Sequence, residues 1–336
     1  MHNAQLRGTI QWLEHTSAAL KGNPLGDPHV RRFPVYLPPG YEGSGAHYPV
    51  IYALAGFTGT GPNMVNFSVW DENLPEQMDS LIDSGEAPAV IVVMPDCFTR
   101  LGGSQYVNSS ATGPYRDYLT GEIIPFIDAT LRTVSRADQR GVLGKSSGGY
   151  GALTLAMTVP GTFAAAASHS GDLYFEYAYL RDFPAAVNAL NDAGGLDNFL
   201  QRFDAANNKG PLIPALNLIA MAACYSPDGA EIELPFELPS GRLREEVWQR
   251  WIASDPIRML ESDDHVAALK SLQLLWLDAG SRDEYALHLG ARIFVERLKA
   301  LGIGHHYEEH DGGHRGTGYR YRESLRAVSR AIAEGA

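Results

Sequence analysis

The sequence has little cysteine. Cys97 and Cys224 are the only two in 336 residues, and they stand far apart. That excludes a disulfide framework and any CxxC-based zinc site, and both thiols are expected to be reduced and buried. Long hydrophobic runs are also lacking. No apolar stretch approaches the roughly 18 residues that a membrane-spanning helix needs. The first residues, Met1 to Gln5, are polar and carry no apolar signal core, so a cytoplasmic location is expected. Basic residues are scarce: 27 Lys and Arg face 39 Asp and Glu, a formal net charge of −12. A nucleic-acid partner needs basic patches that displace counterions, and an anionic membrane surface needs the same sign of charge, so neither is expected. Net charge speaks to solubility and steering and not to fold.

What is present is ordinary globular material. Apolar residues make up 45% and charged residues 20%, enough to build a sizeable core. The length suits one large α/β unit, or one unit carrying an inserted cap. Short apolar runs mark strands: Val35 to Leu37, Pro49 to Ala55, Ala89 to Met94, Gly141 to Leu143, Phe163 to Ser168, Leu272 to Leu277, and the more polar His305 to His310. Helical periods lie between them. Leu119, Ile123, Ile127 and Leu131 form one. Leu287, Gly290, Phe294, Leu298 and Leu301 form another, stopping before Gly302, and Leu325, Val328 and Ile332 form a third. Strands alternating with helices predict a mostly parallel sheet flanked by helices on both faces. Residues 172–255 break the rhythm with helical fragments, two loop-like stretches and no clear buried strand. They are read as a cap inserted into a core formed by 1–171 and 256–336.

Gly144-Lys145-Ser146-Ser147-Gly148 follows a short strand and precedes the helix-like Ala152 to Val159. This is G-x-S-x-G in the context its mechanics require. The central residue sits on a sharp strand-to-helix turn with strained dihedrals, and small residues two before and two after let the backbone double back. Ser146 is therefore the candidate nucleophile. Its neighbour Ser147 is disfavoured because the two glycines flank Ser146 symmetrically. The N–H of Ser147 points at a developing oxyanion, and the loop after the strand PVIYALA offers a second donor at Phe57, where Gly56 permits close approach.

A serine hydroxyl needs a base, and the base needs an orienting carboxylate. Two turns supply them in the order Ser, acid, His: Leu277 to Glu284 after one strand, and Asp311 to His314 after the next. Asp283 is preferred over Asp278, which ends its strand, with Glu284 as the nearest rival. His314 is preferred over His310. A metal site built from His305, His306, His310 and His314 is not expected, because adjacent His305 and His306 face opposite sides of a strand and no HExxH helix occurs.

These residues resemble the putative esterase (esterase D-like) family of the α/β-hydrolase superfamily. The resemblance runs through Val35 to Tyr41, Tyr48 to Tyr52, Leu101 to Tyr106 and Tyr118 to Pro125, and is strongest over Gly144 to Leu153. It implies an α/β-hydrolase fold and a Ser146–Asp283–His314 triad with oxyanion donors at Phe57 and Ser147. The chain departs from many members at Ala55, where a His is common, and at Lys145-Ser146-Ser147 in the elbow. The expected activity is a serine esterase working through an acyl-enzyme on a small-molecule ester, with no cofactor. An acyltransferase using the same triad is the alternative, followed by a peptidase or a non-catalytic binding protein on the same scaffold. Homo-oligomerisation is compatible with the sequence. Tyr174, Phe175, Tyr177, Tyr179, Phe236, Trp248 and Trp251 either line an acyl pocket or pack within the cap, and Ser104, Gln105 and Tyr106 are placed at the border of the site.

Overall fold

The structure, a computed structural model, describes residues 6–334. Eight strands form the central sheet: β1 Thr9–Thr16, β2 Val30–Leu37, β3 Val50–Leu54, β4 Ile91–Val93, β5 Arg140–Lys145, β6 Ala165–His169, β7 Leu274–Gly280 and β8 His306–His310. Their spatial order is β1-β2-β4-β3-β5-β6-β7-β8. From β4 to β8 every pairing is parallel; β1 and β2 form an antiparallel ribbon on one edge. The larger helices are α1 Leu74–Asp83, α2 Ser147–Thr158, α3 Phe183–Ala193, α4 Leu196–Ala205, α5 Ile213–Tyr225, α6 Glu245–Ile252, α7 Leu287–Ala300 and α8 Tyr321–Glu334. Among the described residues no helix is long and apolar enough to cross a membrane.

Side-chain alternation along the strands feeds two cores. Val50, Tyr52 and Leu54 point to one face with Leu153 of α2 and Phe294 of α7. Ile51 and Ala53 point to the other, with Met78 of α1 and Leu325, Val328 and Ile332 of α8. Trp276 joins the second face while its neighbours Leu275 and Leu277 join the first. The continuous apolar runs of the central strands follow from burial on both faces. β1 was not expected from the sequence: it is an edge strand in which Leu13 alone is buried. Its polar side chains blur the strand signal.

The segment between β6 and β7 holds α3 to α6 and a third apolar cluster. Phe199, Ile219 and Trp251 pack there with Tyr150 of α2 and Leu287 of α7, so this cluster grows directly from the sheet-flanking helices. The helix α5, IPALNLIAMAACY, is buried nearly all round. A helix apolar on every side shows no 3.6-residue period, which hid it in the sequence.

Both ends of this segment meet at one carboxylate. Asp255, fully buried, accepts the N–H groups of Tyr174 at 3.3 Å and Phe175 at 2.8 Å from the entering chain, and that of Ile257 at 2.9 Å from the leaving chain. Burial pushes its carboxyl up to about 6, against the pull of these three hydrogen bonds. Because the folded carboxyl binds its proton more tightly than the unfolded one, stability falls as pH rises through the window from its ordinary value to about 6. Relative to Asp255→Asn, the wild type is expected to lose about 3 kcal/mol between pH 3.5 and 7. Urea melts of both proteins across that range check this, and parallel pH curves would count against it.

Candidate active site

The elbow forms where β5 runs into α2. Ser146 takes φ 57 and ψ −124, a region that side-chain-bearing residues rarely adopt and that costs about 1–3 kcal/mol. The surroundings hold it there. Its N–H donates to the carbonyl of His169 at 2.9 Å, and its own carbonyl accepts the N–H of Tyr150 at 2.9 Å. The flanking glycines are sterically required. A Cβ on Gly144 would lie 2.4 Å from the carbonyl of Gly148, and one on Gly148 would lie 2.1 Å from the carbonyl oxygen of Leu54. Both obstacles are backbone and cannot swing aside. Gly148→Ala is therefore expected to lower stability by about 1–3 kcal/mol and to reduce labelling of Ser146 by a fluorophosphonate. A calorimetric melt and probe labelling check this; a variant as stable as the wild type would contradict the steric account.

Parallel register brings the other expected residues to the same rim. Lys145 at the end of β5 stands opposite His169, His169 stands opposite Asp278, and Gly280 at the end of β7 stands opposite His310. The loops carrying Ser146, Asp283 and His314 thus leave the same edge of the sheet from β5, β7 and β8, with β6 between the first two. His314 Nδ1 is 2.8 Å from Asp283 Oδ2. Ser146, His314, Phe57 and Ser147 line one cavity of about 320 Å³. Among the described residues the Ser146 hydroxyl makes no side-chain hydrogen bond, to His314 or to any other group; such contacts often tighten only when substrate binds. Asp283 is buried, which raises its carboxyl. The hydrogen bond and charge of His314, the N–H of Tyr285 at 2.8 Å and the Ser170 hydroxyl outweigh burial and hold it below the ordinary carboxylate range.

The two rivals for the acid do different work. Glu284 accepts the backbone N–H of His314 at 2.5 Å and so anchors the loop, not the ring. Asp278 accepts from His169 Nδ1 at 2.9 Å and from Arg320 Nε at 2.8 Å. His169 Nε2 is in turn 2.7 Å from the hydroxyl of Ser324 on α8. Ser324, His169 and Asp278 therefore reproduce the connectivity of a catalytic triad, yet all three are buried and none lines the cavity. This second relay ties β6, β7 and α8 together directly beneath the elbow, since the carbonyl of His169 holds the N–H of Ser146. This relay was not anticipated from the sequence, because no motif marks it.

The loop carrying Gly56 and Phe57 abuts the elbow: a Cβ on Gly56 would lie 3.1 Å from the carbonyl oxygen of Lys145 and 3.4 Å from Ser146 Cβ. The N–H groups of Phe57 and Ser147 find no acceptor among the described residues, whereas the next one, Thr58 N–H, donates to Gly102 at 2.7 Å. Ser147 keeps its own hydroxyl buried and turned toward Asp172 at 3.5 Å, which sets it apart from the half-exposed Ser146. Lys145 sits in a buried setting that pulls its ammonium down, with Asp283, Asp278 and Glu284 opposing. Ser104, Gln105 and Tyr106 stay outside this cavity. They line a small pocket behind the Gly56 loop, where the Tyr106 hydroxyl donates to the carbonyl of Ala55 at 2.7 Å. Of the seven aromatics named from the sequence, Tyr179 alone reaches the cavity. Phe175, Phe236, Trp248 and Trp251 pack in the third cluster, and Tyr177 is exposed. The four histidines near the C-terminus disperse: His305 bonds the carbonyl of Ile303, His306 stacks on Trp276, and His310 keeps an unpaired Nδ1.

Residues 28–332 match the family described as "Putative esterase". Esterase Rv1288 of Mycobacterium tuberculosis (strain ATCC 25618 / H37Rv) is 29% identical over 307 residues, covering 83% of this chain and 51% of that protein. The chain thus spans about half the length of the curated relatives it matches. Among solved structures, a ferulic acid esterase superposes with TM-score 0.66 at 19% identity, covering 97% of this chain and 100% of the other. An S-formylglutathione hydrolase from Agrobacterium tumefaciens gives TM-score 0.60 at 18% identity, covering 99% and 97%. The sheet order, the elbow and the match over nearly the whole length lead to one conclusion: the chain has an α/β-hydrolase fold and belongs to the Putative esterase family.

Proposed function

We propose that the chain is a serine carboxylic ester hydrolase. The carrying observation is that a strained, cavity-facing serine shares its cavity with a histidine whose far nitrogen is held by a buried carboxylate. Ser146 Oγ attacks the acyl carbon as His314 Nε2 takes its proton. Asp283 fixes the tautomer that presents Nε2 and stabilises the imidazolium that forms. The N–H groups of Phe57 and Ser147 hold the oxyanion, aided by the positive end of α2. His314 returns the proton to the departing alcohol, an acyl-enzyme remains on Ser146, and a water activated by the same imidazole releases the acid. The substrate is a small-molecule ester. Residues 172–255 act as the cap that walls the cavity, through Tyr179, Ile213 and Asn217.

A fluorophosphonate probe tests the reading directly. One probe per chain is expected, on the peptide carrying Ser146, with hydrolysis of p-nitrophenyl acetate lost in parallel. Labelling elsewhere, or none, would overturn the assignment.

A further inference from the structure

The cavity contains an acid that the proposed chemistry does not use. Asp172 follows β6, is buried, and lines the cavity beside Ser147. Its Oδ2 accepts from the Tyr179 hydroxyl at 2.9 Å, from Gln105 Nε2 at 3.0 Å and more weakly from Ser147 Oγ at 3.5 Å. Its Oδ1 takes no hydrogen bond among the described residues. Gln105 is itself braced by the Tyr225 hydroxyl at 2.9 Å, so the carboxyl is held in one orientation by side chains from three separate parts of the chain. Two further polar groups face the same space. Asp182 is half-buried with its carboxyl pushed up by burial, and Asn217 on α5 makes no side-chain hydrogen bond among the described residues. The remaining wall is apolar, with Ala178, Ile213, Pro214 and Leu287. Arg315 lies at the rim, exposed and bonded to the Tyr285 hydroxyl at 3.2 Å. A cavity in which fixed acceptors face an apolar wall, with the exposed Arg315 as the guanidinium of its lining, selects by what its polar groups leave unpaired.

Resting on the esterase reading above, we infer that Asp172 is a specificity-determining residue that accepts a hydrogen bond from a hydroxyl or ammonium group on the acyl part of the ester. The acyl side is specified because Asp172 lies against Ser147, the residue whose N–H is assigned to the acyl oxygen. Anionic acyl groups are excluded by the same carboxylates, since an unpaired negative charge beside them would be desolvated without compensation.

The test uses the full wild-type chain and four phenylboronic acids as reversible adducts of Ser146, read as inhibition constants against p-nitrophenyl acetate. Relative to the unsubstituted acid, the 3-hydroxy or 3-aminomethyl compound is expected to bind about tenfold more tightly, and the 3-carboxy compound about tenfold more weakly. A gain for hydroxyl alone assigns a neutral donor; a gain for aminomethyl alone assigns a cation. In Asp172→Asn these ratios are expected to shrink toward one. Four equal constants in the wild type, or wild-type ratios retained in Asp172→Asn, would overturn the inference while leaving the esterase intact. A chain that neither hydrolyses p-nitrophenyl acetate nor binds any boronic acid would overturn the esterase reading itself, so the two failures are distinguishable.

Discussion

Ser146→Ala is expected to lower turnover of p-nitrophenyl acetate by roughly four to six decades, with the melting temperature unchanged or raised. The size follows from the role: the nucleophile forms the bond on which every later step depends, and triad members act as a unit. What remains comes from the oxyanion donors and binding alone. The sign on stability follows from the backbone. A residue with φ 57 and ψ −124 is strained whatever its side chain, and removing a hydroxyl that makes no hydrogen bond sacrifices nothing in the fold. Initial rates at substrate concentrations spanning KM, alongside a thermal melt, measure both. Activity within tenfold of wild type would sink the nucleophile assignment.

The second large effect separates two adjacent acids. Asp283→Asn is expected to lower kcat by about 10⁴ at neutral pH, because an amide facing His314 Nδ1 favours the wrong tautomer. Glu284→Gln is expected to stay within about tenfold, because its carboxylate holds only the backbone N–H of His314 and an amide oxygen can still accept that bond. The pair is read as kcat for each variant under one set of conditions. Equal losses would mean that the loop anchor and the ring partner are not separable, and a larger loss at Glu284 would transfer the acid's role to it.

The two residues also show what the sequence could and could not convey. The elbow at Ser146 was legible because a sharp turn between strand and helix demands small residues at fixed offsets, and Gly144 and Gly148 meet that demand against the backbone of Leu54 and, for Gly144, of Gly148. The loops carrying Asp283 and His314 were legible because continuous apolar strands fix where the chain returns to the rim. Asp283 could not be separated from Glu284 by pattern, since consecutive side chains differ in direction and only the folded loop decides which one meets the ring. Asp278 was set aside as a strand-ending residue, yet it closes the Ser324–His169 relay. Three hydrogen-bonded residues of the right types are thus insufficient: access to a cavity distinguishes the proposed set from its buried counterpart. Asp172 and Asp255 were missed for a common reason. Each takes partners from far away in sequence, Gln105 for Asp172 and the N–H groups of Tyr174 and Phe175 for Asp255, and such partnerships leave no local spacing. The apolar helix α5 and the polar edge strand β1 failed in opposite directions, one by having no polar face and the other by having hardly any apolar one.

The meeting of Tyr174, Phe175 and Ile257 on Asp255 has an engineering consequence. A stretch of about 80 residues that departs from and rejoins its host within reach of one side chain adds little closure entropy to the host. Such a stretch is expected to be exchangeable provided that Tyr150 and Leu287, which share its apolar cluster, are matched by the incoming segment. Transplanting the equivalent stretch of a homologous enzyme between positions 173 and 255, with the carboxylate kept as the splice clamp, exchanges the selectivity wall while the bond-breaking apparatus on the sheet rim stays in place.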